Sequence, residues 1–365
     1  MVAVILRATL GLVEHLFAWA TLPLHSDRDV PDLGHREGRP LTPVRWSDEV
    51  DGILAGDLTA ALAYVTPAGG AVVTAVAPVG LRDSSAGTVG LTTSLGLGRK
   101  LERIRRNPRI ALAYHSREHG FSLSPRLVLV HGNVTAIFRP DLDYLRTVLT
   151  PQVTRYLGPP RRGRLFWDRW LREYYEDRVL VTAEVVRMTV WPDTDASGDP
   201  EVLGEPLPAP PPSQAPPRGG AGPRVDSVGV ARRMRSLPHR LLAFTQSDGY
   251  PAILPVDVAG GSSSGLALRQ PGGSQIPPGA RRACLLGHSY QPHLIGLKTR
   301  QSTGWLEAAD ESDSATFAPH TEKGFAAPAN KTLLLLLNGL VAKVGLRRAR
   351  RAGRADLLDR PVDRA

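Results

Sequence analysis

Two stretches of the chain, 180 residues apart, follow one pattern: AALAYVTPAGGAVVTAVAPV at 60–79 and RLLAFTQSDGYPAILPVDVA at 240–259. Each is an apolar run, a Gly-containing turn and a second apolar run. The likeness continues in order. RIALAYHS at 109–116 matches RACLLGHSY at 282–290, setting His115 and His288 173 apart, and Gly132 matches Gly304 at a spacing of 172. Matching order at near-constant spacing is the mark of a duplicated folding unit. The chain has 365 residues, which at about 100–200 residues per domain has room for two.

The repeated unit reads as β structure. Short apolar, β-branched runs at 58–65, 71–77, 87–93, 109–115, 126–138 and 178–191 predict six strands, the first two joined by the turn Thr66-Pro67-Ala68-Gly69-Gly70. Few helices separate them, which implies an antiparallel barrel or sandwich rather than a doubly wound sheet. Helices are predicted at 47–55, where Ser47 caps and Gly56 ends the turn, at 99–107, stopped by Pro108, and at 141–149 and 164–176. Phe166, Trp170 and Tyr174, four apart, read as a core stripe. The second copy has LRQPGGSQIPPGARR where the first has TTSLGLGRKLERIRRNP, and its prolines and glycines cannot hold the same helix.

Composition divides the rest. Residues 1–45 are an N-terminal helix and loop; 46–195 form the first domain and 225–325 a degenerate second. Between them 196–224, dense in Pro, Gly and Ala, has too few bulky apolar groups to order itself and reads as a linker. Residues 326–365 form a C-terminal helix and basic tail, too short in its apolar part to span a bilayer. Residues 1–24 lack the charged start of a signal peptide, and Leu6, Leu10, Val13 and Phe17 give an amphipathic helix instead. One cysteine, Cys284, excludes an intramolecular disulfide and any Cys-based metal site, which fits a cytoplasmic location. The net charge of +10 comes almost wholly from arginine, with five lysines in all. The basic groups fall in three separate runs without a recognition motif, so no nucleic-acid partner is expected. The basic C-terminal helix is a candidate for peripheral contact with an anionic membrane surface, against docking on the body.

The residues with chemical potential lie at 92–109. Thr92, Thr93 and Ser94 end a strand, a Gly-containing loop follows, and Arg99 and Lys100 open a helix. Helix-start N–H groups, hydroxyl donors and a guanidinium fork can together hold a phosphate. Charge alone favours a solvated basic helix. No Walker sequence, nucleophile elbow or HExxH occurs. His115 and His119 lie four apart but straddle a strand end, unlike a helical metal pair.

The ordered set SDEVDGILAG, LTAALAYVTPAGGAVVTAVAPV, GTVGLTTS, RKLERIRRNPRIALAYH and VLVHGNVTAI resembles the pyridoxamine 5'-phosphate oxidase-like, FMN-binding split β-barrel superfamily. The resemblance covers 47–138 well and 236–309 as a degenerate copy. It implies a mainly β (α+β) fold of tandem split β-barrels with short connecting and terminal helices, pairing as an intramolecular pseudo-dimer. It places the cofactor phosphate on Thr92, Thr93, Ser94, Arg99 and Lys100, with Gly98 where the family often has serine. The implied function is an FMN- or deazaflavin-dependent oxidoreductase acting on a small-molecule substrate or electron donor, with one intact site per chain. The alternative is a non-catalytic flavin or haem carrier, sensor or scaffold, for which His131 and His288 are the candidate haem ligands.

Overall fold

A computed structural model describes residues 42–161, 165–271, 276–309 and 314–353. The helix expected within 1–24 and the end of the basic tail lie outside them. The chain is mainly β. The first sheet contains β1 (Ala60–Val65), β2 (Ala71–Val76), β3 (Arg82–Asp83), β4 (Thr88–Thr93), β5 (Arg109–Tyr114), β6 (Leu127–Phe138), β7 (Val179–Trp191) and β8 (Glu201–Gly204). Their order is β2-β1-β5-β6-β7-β4-β3, with β8 added beside β7.

The second sheet contains β9 (His239–Thr245), β10 (Pro251–Pro255), β11 (Asp257–Ser262), β12 (Gly265–Arg269), β13 (Gly279–Ser289), β14 (Lys298–Ala308) and β15 (Ser314–Ala326). Its order, β10-β9-β13-β14-β15-β12-β11, is that of the first sheet strand for strand, and all pairs are antiparallel. This is the tandem split-barrel architecture. Register agrees too: Ala63 lies between Val73 and Ala111, and Ala243 between Ile253 and Cys284. The ladder slips at His131/Gly132 in one sheet and at Thr303/Gly304 in the other. At both bulges glycine is required sterically, since a Cβ on Gly132 would sit 2.7 Å from the Glu184 carbonyl oxygen and one on Gly304 would collide with that of Ala318.

The two sheets pack face to face across a seam made by β1, β2 and β5 against β9, β10 and β13. Alternation along the strands sorts the side chains. Leu241, Ala243, Cys284 and Leu286 join the core of the first sheet, while Leu242, Phe244, Ala283 and Leu285 face the interior of the second. A strand covered on both faces reads as an unbroken apolar run, and every residue of β1 is buried.

Helices close the ends. α1 (Asp48–Gly56) and α2 (Gly98–Arg106) press Val50, Ile53, Leu54, Leu101 and Ile104 into the first core. The predicted helix at 141–149 runs further, as α3 (Leu142–Tyr144), a π-turn over Leu145–Leu149 and α4 (Thr150–Leu157). Pro151 has no N–H to give, and the wider turn follows. α5 (Leu165–Glu176) buries Trp167 and Leu171, not the expected stripe: Phe166 is exposed, and Trp170 and Tyr174 are half-buried against the C-terminal helix. α6 (Ser227–Arg235) leads into β9 as α1 leads into β1, and no described residue between β12 and β13 is helical. α7 (Lys331–Arg351) docks on the first sheet rather than standing free. Leu346 and Ala349 enter its core, and Trp170 Nε1 donates to the Leu336 carbonyl at 3.2 Å. No helix among the described residues is long and apolar enough to cross a membrane.

The stretch 196–224 is ordered, against expectation. Its prolines leave carbonyls with few N–H groups, and the body supplies donors: Arg187 to the Pro206 carbonyl at 2.9 Å, Ser247 to Ala209 at 2.7 Å, and Arg281 to Pro211 at 3.3 Å. Gln214 donates to the Gly69 carbonyl at 3.0 Å and accepts from the Arg282 N–H at 3.0 Å, so this strap touches both sheets. Order here comes from the pairing of β8 with β7, from Ala196 and Leu203 against the first core, and from buried arginines, Arg187 at 1% and Arg281 at 0% exposure.

Candidate functional site

β4 ends beside α2, and the five sequence-predicted residues divide there. The Thr92 and Thr93 hydroxyls are buried and make no hydrogen bond. Ser94 is committed locally: its Oγ accepts from the Gly96 N–H at 3.1 Å and donates to Asp177 at 2.9 Å. Lys100 has no ion pair among the described residues, and burial pulls its ammonium down to about 8. The loop between them packs tightly, with a Cβ on Gly96 falling 3.2 Å from Gly345 of α7.

The second sheet supplies residues that sequence reasoning missed. Lys323 of β15 is half-buried, and burial together with the nearby guanidiniums of Arg99 and Arg103 lowers its pKa. Arg103 also lies 5.9 Å from the centre of the Tyr64 ring. Gln301 of β14 reaches across the seam and donates to the Val73 carbonyl at 2.5 Å. Lys323 of the second sheet thus comes near Arg99 and Arg103 of α2, the helix that follows the two unsatisfied threonine hydroxyls and the buried Lys100. Guanidinium, ammonium and hydroxyl groups are donors of the kind a phosphate accepts.

A second polar cluster crosses the seam at the ends of β5 and β13. His115 Nε2 and His288 Nε2 are 2.7 Å apart, with the rings on equivalent strands. His115 Nδ1 lies 3.0 Å from the Ala113 carbonyl, so it carries the proton there and Nε2 accepts from His288. His288 Nδ1 is then a bare acceptor, buried without a partner. Burial drives His115 down to about 3 and His288 well below its ordinary value, so both are neutral at pH 7. Ser116 is hydrogen-bonded to Tyr290, and both Ser116 Oγ and Glu118 Oε2 lie 3.2 Å from His239 Nε2. A nucleophilic Ser-His-acid set needs hydroxyl and acid on opposite ring nitrogens. Ser116 is also 1% exposed, so this cluster joins the halves and attacks nothing.

Both candidate haem ligands are buried. His131 is 1% exposed and His288 0%, and His288 Nε2 is taken by His115. His119 stands in a left-handed turn at φ 57°, its ring 6.0 Å from that of Tyr290, and no cluster of three metal-ligating side chains occurs among the described residues.

No family model matches the chain, and no curated protein matches it. Solved structures do resemble it. A conserved hypothetical protein from Mycobacterium tuberculosis is 22% identical, over 44% of this chain and 91% of that one, with a TM-score of 0.31. An F420 reductase is 20% identical over 38% and 94%, with a TM-score of 0.27. A pyridoxamine 5'-phosphate oxidase-related, FMN-binding protein from Nostoc punctiforme is 10% identical over 55% and 88%, with a TM-score of 0.25.

Proposed function

We propose that the chain binds FMN or a deazaflavin at the seam beside α2 and works there as an oxidoreductase. The observation that carries this is the pair of buried hydroxyls of Thr92 and Thr93, unpartnered at the end of the strand that leads into the basic helix α2, near which the second sheet brings Lys323. In this reading Lys100 and Arg99 neutralise the phosphate, one of the two threonines, whose side chains leave β4 on opposite faces, donates a hydrogen bond to it, and Ser94 holds the loop through Asp177. Lys323 and Gln301 form the opposite wall, so both barrels are needed for one site. When bound, the cofactor exchanges hydride with a small-molecule partner, and the protein contributes position, electrostatics and exclusion of water. The second barrel has no counterpart of α2 among the described residues, which supports one site per chain. The single buried thiol of Cys284 is in keeping with a cytoplasmic setting.

The test is titration of the purified protein with FMN and with a deazaflavin. Losing two charged contacts of about 1.5–3 kcal/mol each should weaken binding by about 100-fold or more in Arg99→Ala/Lys100→Ala, with the unfolding midpoint little changed. Binding of neither cofactor would reject the proposal. Tight binding without turnover with a reduced nicotinamide or deazaflavin donor would make the chain a carrier.

A further inference from the structure

An open cleft lies on the far side of the Ser94–Asp177 contact, walled by α3, α5, α7 and the end of β6, with a volume of about 810 Å³. That is the size of a small-molecule site. Most of its acidic residues are already engaged. Asp177 accepts from Ser94 at 2.9 Å and from Arg139 at 3.1 Å, Glu173 accepts from Lys343 at 2.8 Å, and Asp141 caps α3 through the Tyr144 N–H at 2.7 Å. Arg347 and Arg350 of α7 also line the cleft and form no ion pair among the described residues. Residues three apart on a helix are neighbours, so the two guanidiniums face the same space. Leu145 and Leu346, 8% and 5% exposed, give the cleft an apolar floor.

We propose that this cleft binds a small organic molecule bearing a phosphate or paired carboxylates. Two adjacent planar forks suit an oxyanion of more than one charge, which each can grip with two N–H groups. The leucine floor takes the hydrocarbon part. Glu176, the one lining acid whose carboxylate is uncommitted among the described residues, stands at the exposed rim, where it accepts a hydrogen bond from a ligand hydroxyl or amine. This site is separate from the cofactor cradle: none of Thr92, Thr93, Arg99 and Lys100 lines it. The proposal therefore does not depend on the flavin reading.

Calorimetric titration of the full chain with pyrophosphate and with citrate tests it and separates the two kinds of oxyanion. With the Arg99/Lys100 cradle removed by Arg99→Gln/Lys100→Gln, saturable one-to-one binding of either is expected. Arg347→Gln/Arg350→Gln should weaken it by at least about tenfold, while Arg351→Gln, on the same helix outside the cleft, should leave it unchanged. The circular dichroism spectrum of the double variant should match the parent, since both arginines are exposed. No saturable binding, equal binding by the Arg347/Arg350 variant, or equal weakening by Arg351→Gln would each overturn the proposal.

Discussion

Lys100 and the buried histidines answer to pH in opposite ranges. Burial brings Lys100 down to about 8, so its charge is present at pH 7 and largely gone by pH 9. Flavin affinity should therefore fall between pH 7 and 9 in the parent, and Lys100→Met should bind weakly with a flat profile. A parent profile as flat as the variant's would remove Lys100 from the site. For the histidines the linkage runs toward acid. His115 and His131 fall to about 3 and His288 falls well below 6.5, so the unfolded chain binds protons that the folded one refuses. Stability is full above pH 6.5 and is lost as pH drops toward 3. Asp57, raised by burial to about 7 despite Arg117, works the other way and offsets one histidine. These three histidines less Asp57 leave two protons, worth about 2–3 kcal/mol per pH unit near pH 5, and His239 and His320, also lowered by burial, act in the same direction. Urea midpoints between pH 7 and 4.5 should show that slope, and His115→Gln should reduce it.

Elements built on local periodicity are legible in the sequence itself. The runs 126–138 and 178–191 are β6 and β7 to within a residue, and 99–107 is α2 shifted by one. What composition cannot show is order imposed from elsewhere. The strap is held by arginines distant in sequence, and α5 turns its Trp167–Leu171 edge inward because α7 lies against Trp170. The site divides the same way. Thr92, Thr93, Arg99 and Lys100 stand in one short segment, whereas Lys323 is brought by the second sheet. Its one sequence signal is being a lysine in a chain that otherwise uses arginine. At this scale the bulge glycines are open to test. Gly132→Ala sets a methyl against a backbone carbonyl that cannot yield, and a loss of about 2–4 kcal/mol is expected from thermal or urea unfolding. Gly52→Ala, in open space on α1, should stabilise by about 0.5–1 kcal/mol.

The shared seam makes the two sheets one thermodynamic body. Leu241, Ile253 and Leu286 of the second sheet sit in the same core as Ala63, Val73 and Leu112 of the first, so exposing either half strips the other. Fluorescence and circular dichroism should report a single coincident unfolding transition. Cys284 tests this independently. It is buried in the seam with its thiol pushed up to about 12, so it should react with a thiol reagent only as fast as the whole molecule opens. Faster labelling would mean the halves part before they unfold. The strap changes what such parting would mean. Two separate chains meeting through this seam would dissociate on dilution, but a tether holds its ends at millimolar effective concentration or above at any dilution. It also removes a constraint of symmetry. In a homodimer each substitution appears on both sides of the axis, whereas here each half accepts changes alone, so the first can keep α2 while the described residues of the second hold no such helix.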